Sequence, residues 1–129
     1  MKTKQNVEEL ERIITQLNGL YEEIGQLARK VPNDGVNLFK LNLINAALTG
    51  ANNILSGSYK PFLGFEQFDQ DQLPTNSDVA LILKQYMEQT ERYRSNHVTY
   101  QNGHHVYVLN GRPSDIKASS RTSVGGQKK

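Results

Sequence analysis

The sequence predicts an α+β fold: a long antiparallel helical hairpin, a third helix, and then a small antiparallel β-meander. Three observations lead there. Apolar residues step by three and four through two long segments near the N-terminus. A helix-capping pattern opens a third such segment at Thr75. After residue 97 the period drops to two, with an Asn-Gly pair between two runs rich in valine and tyrosine.

In the first segment Val7, Leu10, Ile13, Ile14, Leu17, Leu20, Tyr21, Ile24, Leu27, Ala28 and Val31 form one stripe. It lasts more than three heptads, as in a long amphipathic helix. Pro32-Asn33-Asp34-Gly35 stops it, because proline disfavours helical backbone at the residue before it and Asp-Gly suits a turn. A second stripe follows at Leu38, Leu41, Ile44, Leu48, Ala51 and Leu55, with Ala46, Ala47, Gly50 and Ala51 small enough for another backbone to approach. Matched stripes across a short turn pair as a hairpin. Residues 56–73 hold Gly57, Lys60-Pro61, Gly64 and three phenylalanines, Phe62, Phe65 and Phe68. The aromatics need something to pack on, so an ordered and functional loop is expected. Thr75-Asn76-Ser77-Asp78 caps a third helix over about residues 77–95, whose buried face is Val79, Ile82, Leu83, Tyr86, Met87 and Tyr93.

Asn102-Gly103 supplies both positive φ angles of a type I′ turn. That turn sets Gln101 opposite His104, Thr99 opposite Val106 and His97 opposite Val108. Asn110-Gly111 offers a second turn, and residues 114–118 a third strand. Such a meander has little to bury alone and must dock on a helix or on another subunit. Together with the unbroken first stripe and a mean hydropathy of −0.62, this predicts coiled-coil-like dimerisation. Residues 1–118 are expected to form a single α+β ligand-binding domain, and residues 119–129 a flexible basic tail.

Composition removes several function classes. Among 129 residues there is no cysteine, which excludes disulfides, thiolate metal sites and thiol nucleophiles. No apolar run approaches the roughly 18 residues of a membrane span, and no signal peptide is evident, so a soluble cytoplasmic protein is expected. The net charge of +2 is unevenly spread: from Arg92 onward seven Lys/Arg stand against one acid, Asp115. That balance suits a bound anion and is too sparse for a nucleic-acid arm. His97, His104 and His105 do not make a metal site, since adjacent strand residues point to opposite faces and no further ligands are available. Most of the carboxylates Glu8, Glu9 and Glu11, Glu22 and Glu23, and Glu88 and Glu91 fall on solvated helix faces. Neither a nucleophile elbow nor a phosphate-binding glycine loop occurs. No cofactor and no catalysis are expected.

The remaining signal is for binding. Lys60-Pro61-Phe62 joins a cation to an aromatic in a stiff loop. Tyr86 and Asn96 lie on the third helix with Arg92 and Arg94 between them. Arg112-Pro113-Ser114-Asp115-Ile116-Lys117 mixes two cations, a hydroxyl and a carboxylate. These are the groups a nucleotide-like ligand needs: a plane for the base, donors for its edge, cations for pyrophosphate and a carboxylate for ribose. Each has a plainer reading, with Tyr86 in the core, Asn96 ending its helix and Arg112 solvated in a turn.

Tyr59-Lys60-Pro61-Phe62, Phe65-Glu66-Gln67-Phe68-Asp69, Leu73-Pro74-Thr75-Asn76-Ser77-Asp78-Val79, Val106-Tyr107-Val108 and Ser114-Asp115-Ile116-Lys117 together resemble the first family of phage Thoeris anti-defence proteins. The resemblance spans roughly residues 36–118. It implies a sponge: members bind glycocyclic ADP-ribose isomers made by bacterial TIR-domain proteins, hold them unchanged and so block the defence. Some relatives also hold cyclic oligonucleotides at a separate site. The family pocket lies at a subunit interface of dimers that can build hexamers, in the host cytoplasm for a phage-encoded member. Position by position, the resemblance puts Lys60, beside Pro61 and Phe62, at a basic position that is usually arginine. It makes Tyr86 the ring that stacks on the base, Asn96 the asparagine near the end of the same helix, and Lys117 the basic residue reaching in from the other subunit. Lysine at 60 and 117 cannot fork two bonds onto a phosphate as arginine does, and Ala118 brings no hydroxyl. A coiled-coil protein-binding adaptor or inhibitor acting through the first helix is the alternative.

Overall fold

Local capping sets where each helix begins in the computed structural model, which describes residues 1–120. Helix α1 (Lys4–Lys30) opens on a reciprocal cap. Thr3 Oγ1 accepts from the Asn6 N–H at 3.2 Å, and Asn6 Oδ1 accepts from the Thr3 N–H at 3.1 Å. Helix α2 (Leu38–Ile54) is capped by Asn37, whose Oδ1 accepts from the Lys40 N–H at 2.8 Å. Helix α3 (Asn76–Asn96) is capped by Thr75, whose Oγ1 accepts from the Asp78 N–H at 3.2 Å. Between α2 and α3 lies a single 3-10 turn, η1 (Gly57–Tyr59), which the sequence did not signal.

Helices α1 and α2 run antiparallel: Glu23 pairs with Lys40 at 2.7 Å towards one end, and Ile13 packs on Gly50 towards the other. A β-carbon on Gly50 would overlap Ile13 Cδ1, so glycine sets this approach. The α1–α2 turn is tied to the start of α3 by Val36 N–H to the Pro74 carbonyl at 2.8 Å and Asn76 N–H to the Asp34 carbonyl at 2.9 Å.

Strands β1 (Val98–Gln101), β2 (His104–Leu109) and β3 (Arg112–Lys117) form an antiparallel sheet in the order β1-β2-β3. The register is the expected one, with Gln101 opposite His104 and Thr99 opposite Val106. Both tight turns have two positive φ angles, at Asn102 and Gly103 (54° and 87°) and at Asn110 and Gly111 (52° and 73°). The third strand starts at Arg112, two residues earlier than expected, because the second turn sets Arg112 directly opposite Leu109. Pairing then slips between Val106 and Val108. Ser114 fills the gap, its Oγ donating to the Tyr107 carbonyl at 2.7 Å and accepting from the Ile116 N–H at 3.1 Å.

Two clusters make the core. Ile13, Leu17 and Ile24 of α1 pack with Leu41, Ile44 and Leu48 of α2 and Val79, Leu83 and Tyr86 of α3. The N-terminal part of α1, Val7 and Leu10, receives the sheet through Val98 and Tyr107. Each such large apolar side chain contributes about 1.5–3 kcal/mol by burial. The apolar stripe of α1 is covered by the chain's own α2, α3 and sheet.

The phenylalanine loop is ordered against the first cluster. Asn45 binds both polar groups of Phe68, accepting its N–H at 2.8 Å and donating to its carbonyl at 3.0 Å. Phe62, Phe65 and Phe68 meet edge to face with centroids 6.2 and 5.1 Å apart. Of the expected flexible tail, residues 121–129 lie outside the described residues. Its first two residues are held, their carbonyls accepting from Arg94. No helix among the described residues is long and apolar enough to cross a membrane.

Candidate functional site

The C-terminal turn of α3 meets η1 in a cluster of aromatic and cationic side chains. Tyr59, at the end of η1, packs edge-on against Tyr93 with centroids 5.1 Å apart. Arg92 lies over the Tyr59 ring, 4.4 Å from its centroid, and donates to the Ser58 carbonyl at 2.7 Å. Asn96, the last residue of α3, donates from Nδ2 to the Tyr59 hydroxyl at 2.9 Å. His97 follows, its ring 4.2 Å from that of Tyr93 and its Nδ1 2.7 Å from the Tyr93 carbonyl oxygen. Lys60 is next to Tyr59 and faces Glu66 at 3.8 Å, a loose surface pair of about 0–1 kcal/mol. Asn96 thus meets η1 through Tyr59, while Lys60, Pro61 and Phe62 follow that residue into the loop, Lys60 towards Glu66 and Phe62 onto Phe65.

Tyr86 is not part of that surface. Its ring is fully buried in the first core cluster, and its hydroxyl donates to Asn52 Oδ1 at 3.0 Å. Burial raises its pKa, partly offset by the Asn52 bond. The ring has no free face for a base in this chain, so of the two roles the sequence offered, the core role is the one the fold uses. The i, i+7 neighbour Tyr93 is only half-buried. Its pKa is also raised, by burial and then by Tyr59.

The β3 residues stand apart. Arg112, Asp115 and Lys117 are exposed, and among the described residues none makes an ion pair or a hydrogen bond through its side chain. Asp115 and Ser114 line a polar hollow of about 310 Å³ on the outer face of the sheet, with Gln101, Asn102 and His104. Ala118 is anchored differently, its N–H donating to the His105 carbonyl at 3.0 Å and its methyl packing on the second cluster. No hydrogen bond, ion pair or ring contact joins β3 to the η1 junction among the described residues. Nor is any group of three or more His, Asp and Glu placed there to hold a metal ion.

A second charged site escaped the sequence. A cleft of about 440 Å³ is lined by Glu11, Thr15, Glu91, Arg94, Tyr107 and Ser119. Arg94, only 7% exposed, forks onto Glu91 at 2.9 and 2.8 Å and donates to the carbonyls of Ser119 and Ser120 at 3.0 and 2.7 Å. The Glu91 bond is the main reason its pKa is raised. Tyr107 donates to Glu11 Oε2 at 2.9 Å, and burial first, then that bond, pushes its pKa up to about 12. The i, i+3 spacing of Glu91 and Arg94 was readable. The meeting of Glu11 with Tyr107, 96 residues apart, was not. Arg92 and Arg94, read as cations for a ligand, are both occupied within the fold.

Comparison of the chain with protein-family models, with curated proteins and with solved structures finds no match.

Proposed function

We propose that this protein sequesters a cyclic ADP-ribose isomer such as glycocyclic ADP-ribose, without chemical change, and so blocks Thoeris defence. The observation that carries the reading is the junction of η1 with α3. Asn96, which the family resemblance marks for the ligand, bonds the hydroxyl of one half-exposed ring there, and Lys60, also marked, is the next residue after that ring in the chain. That ring is Tyr59, which takes the stacking role in place of the enclosed Tyr86, with Arg92 on one of its faces. Among the described residues the Lys60 ammonium is held by the loose Glu66 pair alone, which a pyrophosphate displaces at little cost.

The cations Arg112 and Lys117 and the carboxylate Asp115 have no partner within the described chain and sit on a separate element. A pocket shared by two subunits accommodates that separation, with β3 of one chain closing over the junction of another. Enclosure between chains favours slow release, which sequestration requires.

The test is a retain-and-release experiment. Protein is mixed with glycocyclic ADP-ribose, free ligand is filtered away, and the retentate is heated and identified. Ligand depleted from the filtrate and returned intact is the expected result, with retention lowered roughly tenfold or more by Tyr59→Ala, Asn96→Ala or Lys117→Ala, about 1.4 kcal/mol each. A cleaved product makes the protein an enzyme. No depletion of any isomer removes the reading.

A further inference from the structure

The pair Asn-Gly occurs three times in the chain, at Asn18-Gly19, Asn102-Gly103 and Asn110-Gly111, and the fold treats each differently. The pair has a chemistry of its own. The asparagine carboxamide carbon can close a five-membered ring with the next backbone nitrogen, and glycine puts no β-carbon in the way. Asn18-Gly19 lies within α1, where the glycine N–H belongs to the helix ladder. Asn110-Gly111 is pinned: the Asn110 N–H donates to the Met1 carbonyl at 3.0 Å, and its Nδ2 donates to the Lys2 carbonyl at 3.2 Å. Asn102-Gly103 has neither restraint. Both residues are exposed, and the ladder ends outside them at the Gln101–His104 pair. Among the described residues the Asn102 carboxamide makes no hydrogen bond. Asn102 lines the polar hollow on the outer face of the sheet, as do His104 and Asp115.

We propose that Asn102-Gly103 is a self-modification site, at which the chain deamidates Asn102 with His104 as the base. Imidazole is the side chain suited to taking a proton near neutral pH, and His104 follows Gly103 directly in the chain. His104 takes the Gly103 amide proton, and the nitrogen attacks Asn102 Cγ. The N–Cγ bond forms and the Cγ–Nδ2 bond breaks. Nδ2 leaves as ammonia, carrying the proton back from the imidazole, and a succinimide remains. Water then opens the ring. Breaking the new N–Cγ bond gives aspartate; breaking the bond from the Asn102 backbone carbonyl carbon to the Gly103 nitrogen gives isoaspartate. Nothing is oxidised or reduced, and water is the one co-reactant. Either product brings a second carboxylate to the hollow that Asp115 already lines. Isoaspartate also adds a methylene to the main chain of the two-residue turn that sets the β1–β2 register. The sheet that carries Arg112 and Lys117 therefore gains negative charge as the protein ages.

No ligand takes part, so the test uses the full chain alone. It is incubated in mildly alkaline buffer, once native and once unfolded in urea, and each asparagine is followed by tryptic peptide mapping. Asn102 and Asn110 share a peptide, so electron-transfer fragmentation is used to locate the change and to separate aspartate from isoaspartate. In the native chain Asn102 is expected to convert roughly tenfold faster than Asn110 or more, because the two hydrogen bonds of Asn110 have to open first. Asn18 should stay intact. In urea the three rates should converge. His104→Gln, at an exposed position, should slow Asn102 roughly tenfold while Asn110 and the melting temperature stay as they were. An Asn102 that stays intact in the native chain overturns the proposal. So does an Asn110 that keeps pace with it, or the same ranking in urea, which would take the fold out of the cause. A His104→Gln chain reacting at the wild-type rate overturns the choice of base.

Discussion

The phenol of Tyr86 is hydrogen-bonded to Asn52 and its ring is enclosed by α1, α2 and α3, so its two truncations should behave differently. Tyr86→Phe loses one hydrogen bond, about 1 kcal/mol, and should keep ligand retention. Tyr86→Ala leaves a cavity costing about 3–5 kcal/mol, so any loss of retention should track a lower urea midpoint. Lost retention at an unchanged midpoint would show that the ring does meet the ligand. Tyr107 makes a prediction in pH. Its pKa rises from the ordinary 10.0 to about 12 in the fold, so between those values the unfolded chain has released the proton that the native state keeps. Its contribution is complete below pH 10 and is lost as pH rises to 12, by about 1.4 kcal/mol per unit. Tyr86 and Tyr93, also raised, act in the same direction. Urea midpoints should fall steeply over that window, and the fall should be shallower in Tyr107→Phe.

The phenylalanine loop depends on Asn45, whose carboxamide is the clamp that joins it to α2. Asn45→Ala removes both bonds to Phe68, about 2 kcal/mol, and should speed exchange of the Phe68 amide roughly thirtyfold while amides in the middle of α1 keep their protection. Equal acceleration throughout would mean the loop does not open independently. The elements that were legible in the sequence are those with a short-range cause: the Thr75 cap, the stop before Pro32, the two Asn-Gly turns and the register of the first. Those that were not legible depend on distant partners. η1 is a single turn ending under Arg92; Arg94 turns inward because Ser119 and Ser120 reach it; and the division of α1 between two cores is set by where the sheet lands. The candidate site divides in the same way. Asn96 meets the ring that precedes Lys60 in the chain, but Tyr86 carried two readings that only packing could separate.

At the scale of the molecule, a pocket shared between chains predicts complementation. Asn96→Ala and Lys117→Ala chains should each fail to retain ligand, yet when co-expressed they should recover about a quarter of the sites, because half the dimers are mixed and one of their two pockets is intact. Filter retention on the co-purified mixture measures this. No recovery would mean that both residues act within one chain. The way α1 is shared between two clusters also bears on synthesis. Val7 and Leu10 are covered by Val98 and Tyr107, which leave the ribosome about a hundred residues later. At roughly 5–20 residues per second, this end of the first helix stays bare for some 5–20 seconds of every translation round, open to holdases and to other nascent chains.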